Sequence, residues 1–516
     1  MDDMINSKSK FESSLPKITE IAHENVGSSL DMELSPNPKT DPEKGLATVM
    51  ISHHLQPLVY FEDGDSGNPR NWSPKKKSAI GFFALFSAFV ATLGTPIYIA
   101  SIPSITEDFK ISTTLAISPT SLYAYGLGIG SLFATAFAEI FGRRIVYQVT
   151  VPLSLVFTII GGTAKTFATL AVARTLAGIL SGPCLTVGVG VLNDLWDLSL
   201  DKTGTTFAVL YAMFIIYGTQ IGPMASGSLI THHSWRWTFW VSAILIGVTA
   251  VAAFLIPETY APKILRSRAK KENITVKTRG ESLSLFLVSV GRPLHMIIVE
   301  PLILPSGLVL AVTQSIIFAY YVGYALLFEK VYNFSQFHVG MAFVPLLVGS
   351  LLAVPVVAAF DRLTYQKARA HAIASGTTVH PETRLYPAML GVILLPISLF
   401  WLAWTGRLEV HWILPVLSGV LFGLAYVLNM LCLPIYNNDV YATHYGASVM
   451  AATTFMRFAI SSSFPLFTVQ MINNLGFAWA TSLLGFITVA MIPVPWVFFK
   501  WGPALRSRSR YLRAEQ

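Results

Sequence analysis

From residue 78 onwards, two arginines, Arg174 and Arg457, fall inside long apolar runs of the sequence. The other Lys and Arg residues lie in the segments between or after these runs. An arginine at the centre of a membrane-spanning helix costs about 2.5–3.5 kcal/mol on insertion scales. Such a side chain should face a cavity or the protein interior and have a partner there. For Arg174, about a third of the way into its run, the alternative is a structural arginine bonded only to backbone carbonyls.

Acidic residues are absent from the interiors of the apolar runs, because Glu300, Asp361 and Asp439 all lie at run ends. The embedded charges are therefore positive. A polyamine carries several positive charges and should require carboxylates in its binding site. The pattern accordingly favours neutral, aromatic or weakly anionic ligands.

A third feature is YGTQIGPMASG, residues 217–227, which places glycines and a proline in the middle of an apolar run. In lipid, helices approach closely where small residues recur every four positions. Gly218, Gly222 and Gly227 should form a smooth strip, and Pro223 should bend the helix by removing one backbone hydrogen bond. On spacing alone, this strip could equally be a packing notch.

The elements that hold these residues follow from composition. The chain has 516 residues, of which 53% are hydrophobic and only 12% are charged, against about 25% charged in soluble proteins. Twelve apolar runs are each long enough to span a membrane, which takes roughly 20 residues. They are grouped as six, a polar gap of about forty residues, and six more. We therefore predict an all-α membrane protein with twelve transmembrane helices in two six-helix bundles.

The predicted domain boundaries follow this grouping. A largely disordered cytosolic tail should occupy residues 1–77, which are rich in Ser, Pro and charged residues. The N-terminal bundle should then span residues 78–257 and the central cytosolic loop residues 258–299. The C-terminal bundle should span residues 300–499, and a cytosolic C-terminal tail residues 500–516.

Orientation comes from the distribution of basic residues. If both termini are cytosolic, the short cytosolic segments carry twenty Lys and Arg and the opposite loops carry five. Cytosolic loops of membrane proteins carry such an excess. We therefore expect both termini in the cytosol.

Other classes of protein fit poorly. The two cysteines lie in apolar runs, so a disulfide framework is excluded by count. No H-E-x-x-H, G-x-S-x-G or P-loop motif is present, so we expect neither an enzyme nor a metal site. The basic residues lie in short segments between apolar runs, which argues against nucleic-acid binding.

Seven short motifs, together with the six-plus-six pattern, resemble the major facilitator superfamily, and in particular its fungal drug:H⁺ antiporter group of multidrug, polyamine and metabolite exporters. The resemblance runs from about Tyr60 to Tyr511. The motifs are NPRNWSPKKK (68–77), EIFGRR (139–144), ARTLAG (173–178), YGTQIGPMASG (217–227), WRWTFW (235–240), PETYAP (257–262) and PETRLYPA (381–388).

The resemblance implies roles for several of these residues. Arg174 matches an arginine linked to proton movement, although the first run has no acid to pair with it. The face of Gly218, Gly222, Pro223 and Gly227 matches the antiporter motif, which should pack in the cavity wall and prevent proton leakage.

The same resemblance implies a gating loop, formed by Glu139, Gly142, Arg143 and Arg144. Its salt bridges should lock one state of the transporter and break in the other. This chain departs from the family pattern, with Thr135 in place of the leading glycine and Ile140 after the acid. Plain anchoring at the membrane surface is the alternative.

In the family, spans one, four, seven and ten line the substrate cavity. The polar and aromatic candidates there are Tyr98, Gln314, Tyr320, Tyr426 and Asn429, and we add the embedded Arg457. For each of them, packing is the competing interpretation.

The resulting hypothesis is a proton-coupled antiporter that exports small organic molecules, either drugs or a fungal secondary metabolite. A polyamine exporter and a proton-coupled importer are the alternatives. The energy source should be the proton gradient, with no cofactor. We expect a monomer in the plasma membrane, or alternatively the vacuolar membrane, in contact with membrane lipid.

Overall fold

The computed structural model describes residues 40–41, 46–49, 58–62, 64–197, 201–271, 283–376, 379–441 and 445–513. Most of the tail predicted to be disordered, residues 1–77, lies outside these ranges. Its described part contains a small antiparallel sheet in the order β1-β2-β3, and a helical turn at Pro69–Asn71. The strands are Thr40–Asp41 (β1), Leu46–Val49 (β2) and Leu58–Phe61 (β3).

Helices build the rest of the molecule. In the first half they are α1 (Pro74–Leu93), α2 (Ile102–Phe109), α3 (Thr113–Phe141), α4 (Arg143–Gly162), α5 (Phe167–Ser181), α6 (Pro183–Leu195), α7 (Lys202–His232) and α8 (Arg236–Leu255). Polar residues cap several of them: the side chains of Ser112, Thr166 and Asp201 accept hydrogen bonds from backbone N–H groups of the first turns of α3, α5 and α7.

The central segment contains two helices, α9 (Ala261–Lys271) and α10 (Leu283–Val299). The second half then comprises α11 (Ile303–Lys330), α12 (Gln336–Met341), α13 (Val344–Phe360), α14 (Gln366–Ser375), α15 (Tyr386–Thr405), α16 (Ile413–Tyr441), α17 (Gly446–Ser461), α18 (Phe464–Met491), α19 (Pro493–Arg506) and α20 (Arg510–Arg513).

Within the described residues, eleven helical stretches are long and apolar enough to cross a membrane. The last of them, Gly446–Leu512, has 67 residues, which is far more than the roughly 20 that one crossing needs. Gly476 breaks it, with φ 75° and ψ 160° inside α18. The chain is therefore a multi-pass membrane protein whose spans are all helical, and its helices are consistent with the predicted twelve spans.

The bundle has two ends. We call the end that holds Gly142, Asp194 and Arg384 the charged end, and the end that holds Trp235 and Gly476 the opposite end. Helices α3 and α7 of the first half pack against α17 and α12–α13 of the second. These two contacts form most of the boundary between the halves.

Hydrogen bonds join the halves near the opposite end. Tyr125 on α3 and Ser463, just before α18, share a hydrogen bond of 2.6 Å, and Gln470 donates to Thr114 at 3.0 Å. These contacts link the two halves on this side.

Candidate functional site

Arg174 lies in a cage of backbone and aromatic rings inside the first half. Its Nη2 donates a hydrogen bond of 2.7 Å to the carbonyl oxygen of Gly94. The guanidinium lies 4.3 Å from the ring centroid of Tyr123, 5.3 Å from that of Tyr98 and 5.7 Å from that of Phe239. Rings in this position attract a cation.

No carboxylate pairs with Arg174 among the described residues, and its Nε has no hydrogen-bond partner there. The side chain is only 4% exposed. Its setting is thus close to the structural alternative stated above, with one carbonyl and three rings in place of an acid. Because it binds Gly94, at the end of α1, it ties the first span to α5.

The glycines of the 217–227 motif meet backbone on two sides of α7. A Cβ atom at Gly218 would lie 2.6 Å from the carbonyl oxygen of Phe89, and one at Gly222 would lie 3.0 Å from the amide nitrogen of Ile97. A Cβ at Gly227 would lie 2.7 Å from the carbonyl oxygen of Gln336. Any larger residue would push the helices apart.

The motif therefore has two partners. Gly218 and Gly222 seat α7 against the first span, within one half. Gly227 faces the other half, at α12. Pro223 does not end the helix, since α7 continues from Lys202 to His232.

Two polar residues of the same motif were missed by the sequence reasoning. Gln220 Nε2 donates to the hydroxyl of Ser350 on α13 at 2.7 Å, and Tyr321 on α11 donates to the carbonyl oxygen of Thr219 at 2.7 Å. Both bonds cross between the halves. Only the glutamine carried a signal, because a Gln side chain inside an apolar run needs a buried partner; Thr219 takes part through its backbone carbonyl.

Three of the predicted cavity residues come together near the middle of the bundle. Tyr426 on α16 donates to Gln314 Oε1 on α11 at 2.7 Å. Arg457 on α17 lies close enough to Tyr426 and to Tyr211 of α7 to interact electrostatically. Its Nη1 is 3.7 Å from the sulfur of Met430. We call Gln314, Tyr426 and Arg457 the central cluster.

The other three candidates lie elsewhere. Tyr98 donates to the carbonyl oxygen of Ala116 inside the first half. Tyr320 stacks on Tyr324, with 4.8 Å between ring centroids. Asn429 points at Gly391 of α15, where a Cβ would lie 2.5 Å from its Oδ1. These positions match packing within a bundle.

The predicted gating residues lie at the charged end. The Nε of Arg143 is 3.4 Å from Asp194 Oδ2. Glu258 accepts from the backbone N–H groups of Arg143 and Arg144, at 2.9 and 3.3 Å. Thr259 donates to Asp194 at 3.1 Å. Asp194 and Glu258 were not among the predicted site residues.

Gly142 has a backbone that other residues rarely adopt, with φ 87° and ψ 165°. Its Cα also faces Glu258, whose Cδ would lie 2.8 Å from an added Cβ. The glycine is therefore required both for the turn from α3 to α4 and for the approach of this carboxylate.

Glu139 joins the central segment rather than an arginine, since Ser289 of α10 donates to its Oε2 at 3.1 Å. The second half has an equivalent charged group. Arg384 Nε is 3.1 Å from Asp439, and its Nη1 is 3.7 Å from Asp361. The pair of Arg143 with Asp194 thus lies within the first half, and the pairs of Arg384 lie within the second.

Comparison with known proteins decides the family. The model of the Major Facilitator Superfamily matches residues 84–465. The chain belongs to the major facilitator superfamily. This family of membrane transporters carries small-molecule substrates, and the predicted fold and family are thereby confirmed.

Curated fungal relatives support the narrower group of drug transporters. The chain is 33% identical to "Polyamine transporter 4" of Saccharomyces cerevisiae over 92% of this chain and 76% of that protein. It is 31% identical to the "Probable drug/proton antiporter YHK8" of the same yeast over 93% of both. It is 30% identical to "Efflux pump radE" of Floropilus chiversii, over 96% and 93%.

Solved structures share the fold at low sequence identity. The proton:xylose symporter XylE, bound to 6-bromo-6-deoxy-D-glucose, gives a TM-score of 0.59 at 15% identity, over 83% of this chain and 97% of that one. The human organic anion transporter MFSD10 gives 0.57 at 13%, over 82% and 100%. At this identity the likeness concerns the fold of this major facilitator protein and not its substrate.

Proposed function

We propose that this transporter exports small organic molecules, drugs or a fungal secondary metabolite, in exchange for protons. The observation that carries the proposal is the packing of α7. Gly218 and Gly222 seat it on the first span, while Gly227, Thr219 and Gln220 hold it against the second half. A sealed helix at this place supports exchange, because a loose one would let protons pass without substrate.

The direction of transport rests on the two ends of the bundle. The basic residues favour a cytosolic charged end. The described hydrogen bonds between transmembrane helices of the two halves lie at the midplane or towards the opposite end. Export requires the substrate to enter from the charged end, which is the cytosolic side in this orientation. Relatives named as efflux pumps support the same direction.

Proton coupling is assigned to Arg174, following the family resemblance. A guanidinium stays protonated at physiological pH, so Arg174 would not itself carry the proton. It would act by holding Gly94 and the end of the first span in place. The movement of α1 against α5 would then depend on this one bond.

Polyamine export is the second candidate, because a relative with 33% identity is named a polyamine transporter. The central cluster argues against it for this chain. Arg457 places a positive charge there, and its electrostatic partners among the described residues are two tyrosines and no carboxylate. A polycation would have to approach that charge.

Efflux from yeast cells that lack their main drug pumps tests the proposal. Cells would be loaded with aromatic, weak-acid and polyamine compounds, with and without a protonophore. We expect faster efflux of an aromatic or weak-acid compound than in cells with empty vector, and loss of the difference with protonophore. Faster uptake would contradict export, and efflux of polyamines alone would favour the second candidate.

A further inference from the structure

Arg457 is unusual because it lies deep in its span and is not fully buried. It lies about 17 Å from the start of α17, at a rise of about 1.5 Å per residue, in a span that continues past Ser463 towards Gly476. Even so, its side chain is only partly buried. Part of its surface therefore stays accessible deep inside the protein.

The charge of Arg457 lacks a counter-ion in the described structure. Among the described residues it meets a thioether at 3.7 Å and the ring of Phe458 at 5.0 Å, with the phenols of Tyr426 and Tyr211 in electrostatic range. The Nε atom is buried and has no hydrogen-bond partner. The Nε of Arg174 is also unpaired, but its Nη2 donates to a carbonyl at 2.7 Å and three rings surround its guanidinium.

A second unpaired donor lies on the same cluster. The hydroxyl of Tyr426 donates a hydrogen bond to Oε1 of Gln314. The Nε2 group of Gln314 is buried and has no partner among the described residues. Gln314 is 2% exposed. Buried donors are almost always paired. Two donors, one of them charged, are thus connected through one tyrosine and have no acceptor.

We propose that the central cluster binds the acidic group of an organic anion, a carboxylate or an enolate, with Arg457 and the Nε2 of Gln314 as donors. This inference rests on the proposed function and names its substrate class. A charged acceptor supplies what both donors lack, and hydrogen bonds to an ionised acceptor are roughly twice as strong as neutral ones. The phenols of Tyr426 and Tyr211 and the ring of Phe458 would flank an aromatic body.

The test measures binding to purified protein in detergent, so it does not depend on transport. The probes are cinnamate, its neutral methyl ester, and spermidine. We expect cinnamate to bind at least tenfold more tightly than the ester and spermidine. Arg457→Gln should lower the affinity for cinnamate at least tenfold, so that the preference over the ester is lost. The weak binding of the ester should not change. Arg457→Lys, which keeps the charge, should retain most of the preference.

Lys367→Gln on α14, an exposed lysine outside the spans, is the matched control and should behave as wild type. Gel filtration reports whether each variant is folded. Equal binding of acid and ester by the wild type would overturn the proposal. Equal loss of both ligands in folded Arg457→Gln and Arg457→Lys would overturn it as well, because it would show a structural role.

Failure of the proposed function gives a different pattern. If cinnamate binds as expected but no compound leaves the cells faster, the anion site stands and export does not. If neutral compounds are exported, and their binding is unchanged by Arg457→Gln, the proposal of export stands and that of the anion site does not.

Discussion

Gln220 and Ser350 form a hydrogen bond of 2.7 Å between α7 and α13, and this bond joins the two halves of the transporter. Ser350 also donates to the carbonyl oxygen of Gly423 on α16, at 3.3 Å. Both side chains are fully buried. A single glutamine of α7 therefore connects this helix to α13, which is itself bonded to α16 in the second half.

Removing this bond should weaken the closed boundary. A buried hydrogen bond contributes about 0.5–1.5 kcal/mol net, and an unpaired partner costs about 1–3 kcal/mol. Gln220→Ala and Ser350→Ala should each lower the unfolding temperature, and the double variant should cost less than the sum of the two. Ser398→Ala is the control, since the hydroxyl of Ser398 donates to the carbonyl of Leu395 in its own helix. Additive losses would show that the two residues are uncoupled.

The close approach at Gly218 predicts a steric effect on transport. Gly218→Val should force α7 away from Phe89 and Thr92 of α1, and efflux should fall at least tenfold. Gly247→Ala on α8 is the matched control, because its nearest atom would be 3.9 Å away, in ordinary contact. Its efflux should equal that of wild type. Normal efflux by a well-expressed Gly218→Val protein would show that this packing is dispensable.

Arg174→Lys tests the cage around the buried guanidinium. Lysine keeps the charge but loses the planar fork and its stacking on the rings. Loss of the charged hydrogen bond to Gly94 should cost about 1.5–3 kcal/mol, seen as a lower melting temperature together with reduced efflux. Arg407→Lys, an exposed arginine near Trp404, should change stability by less than about 0.5 kcal/mol. Unchanged stability and efflux in Arg174→Lys would refute the role of the cage.

The sequence predicted the family, the helical fold and the residues of the α7 strip, because apolar length and glycine spacing are local properties. It could not predict which groups of other helices these residues contact. Arg174 was expected to need a partner, and the Gly94 carbonyl and the aromatic rings that meet it come from three other spans. Tyr98 and Asn429 were candidates because their helices line the cavity in the family. Which side of a helix faces the cavity depends on packing that a single sequence does not show.

Asp65 and Arg268 give a pH prediction outside the membrane. Arg268 pairs with Asp65 and holds the pKa of that carboxyl below its usual value. The pair ties the segment before α1 to α9. A depressed folded pKa means that the contact is fully present above the unfolded pKa of about 3.9 and is lost only as pH falls through the lower folded value.

Hydrogen exchange checks this prediction. The N–H of Gly67 donates to Asp65 at 2.7 Å. Its protection, corrected for the intrinsic rate, should be constant from pH 8 to pH 5 and should be lost at neutral pH in Asp65→Ala, which removes the acceptor oxygens. Glu62→Gln serves as the control and should keep protection. Loss of protection in the wild type already near pH 6 would contradict the assignment.

Exchange of substrate for protons is the central claim, and purified protein in liposomes tests it most directly. Vesicles carrying an internal pH dye would be given an outward substrate gradient at equal pH on both sides. We expect the substrate to leave as the lumen becomes acidic, with both signals absent in Gly218→Val. Substrate efflux without any change in luminal pH, or with the lumen becoming alkaline, would contradict proton antiport.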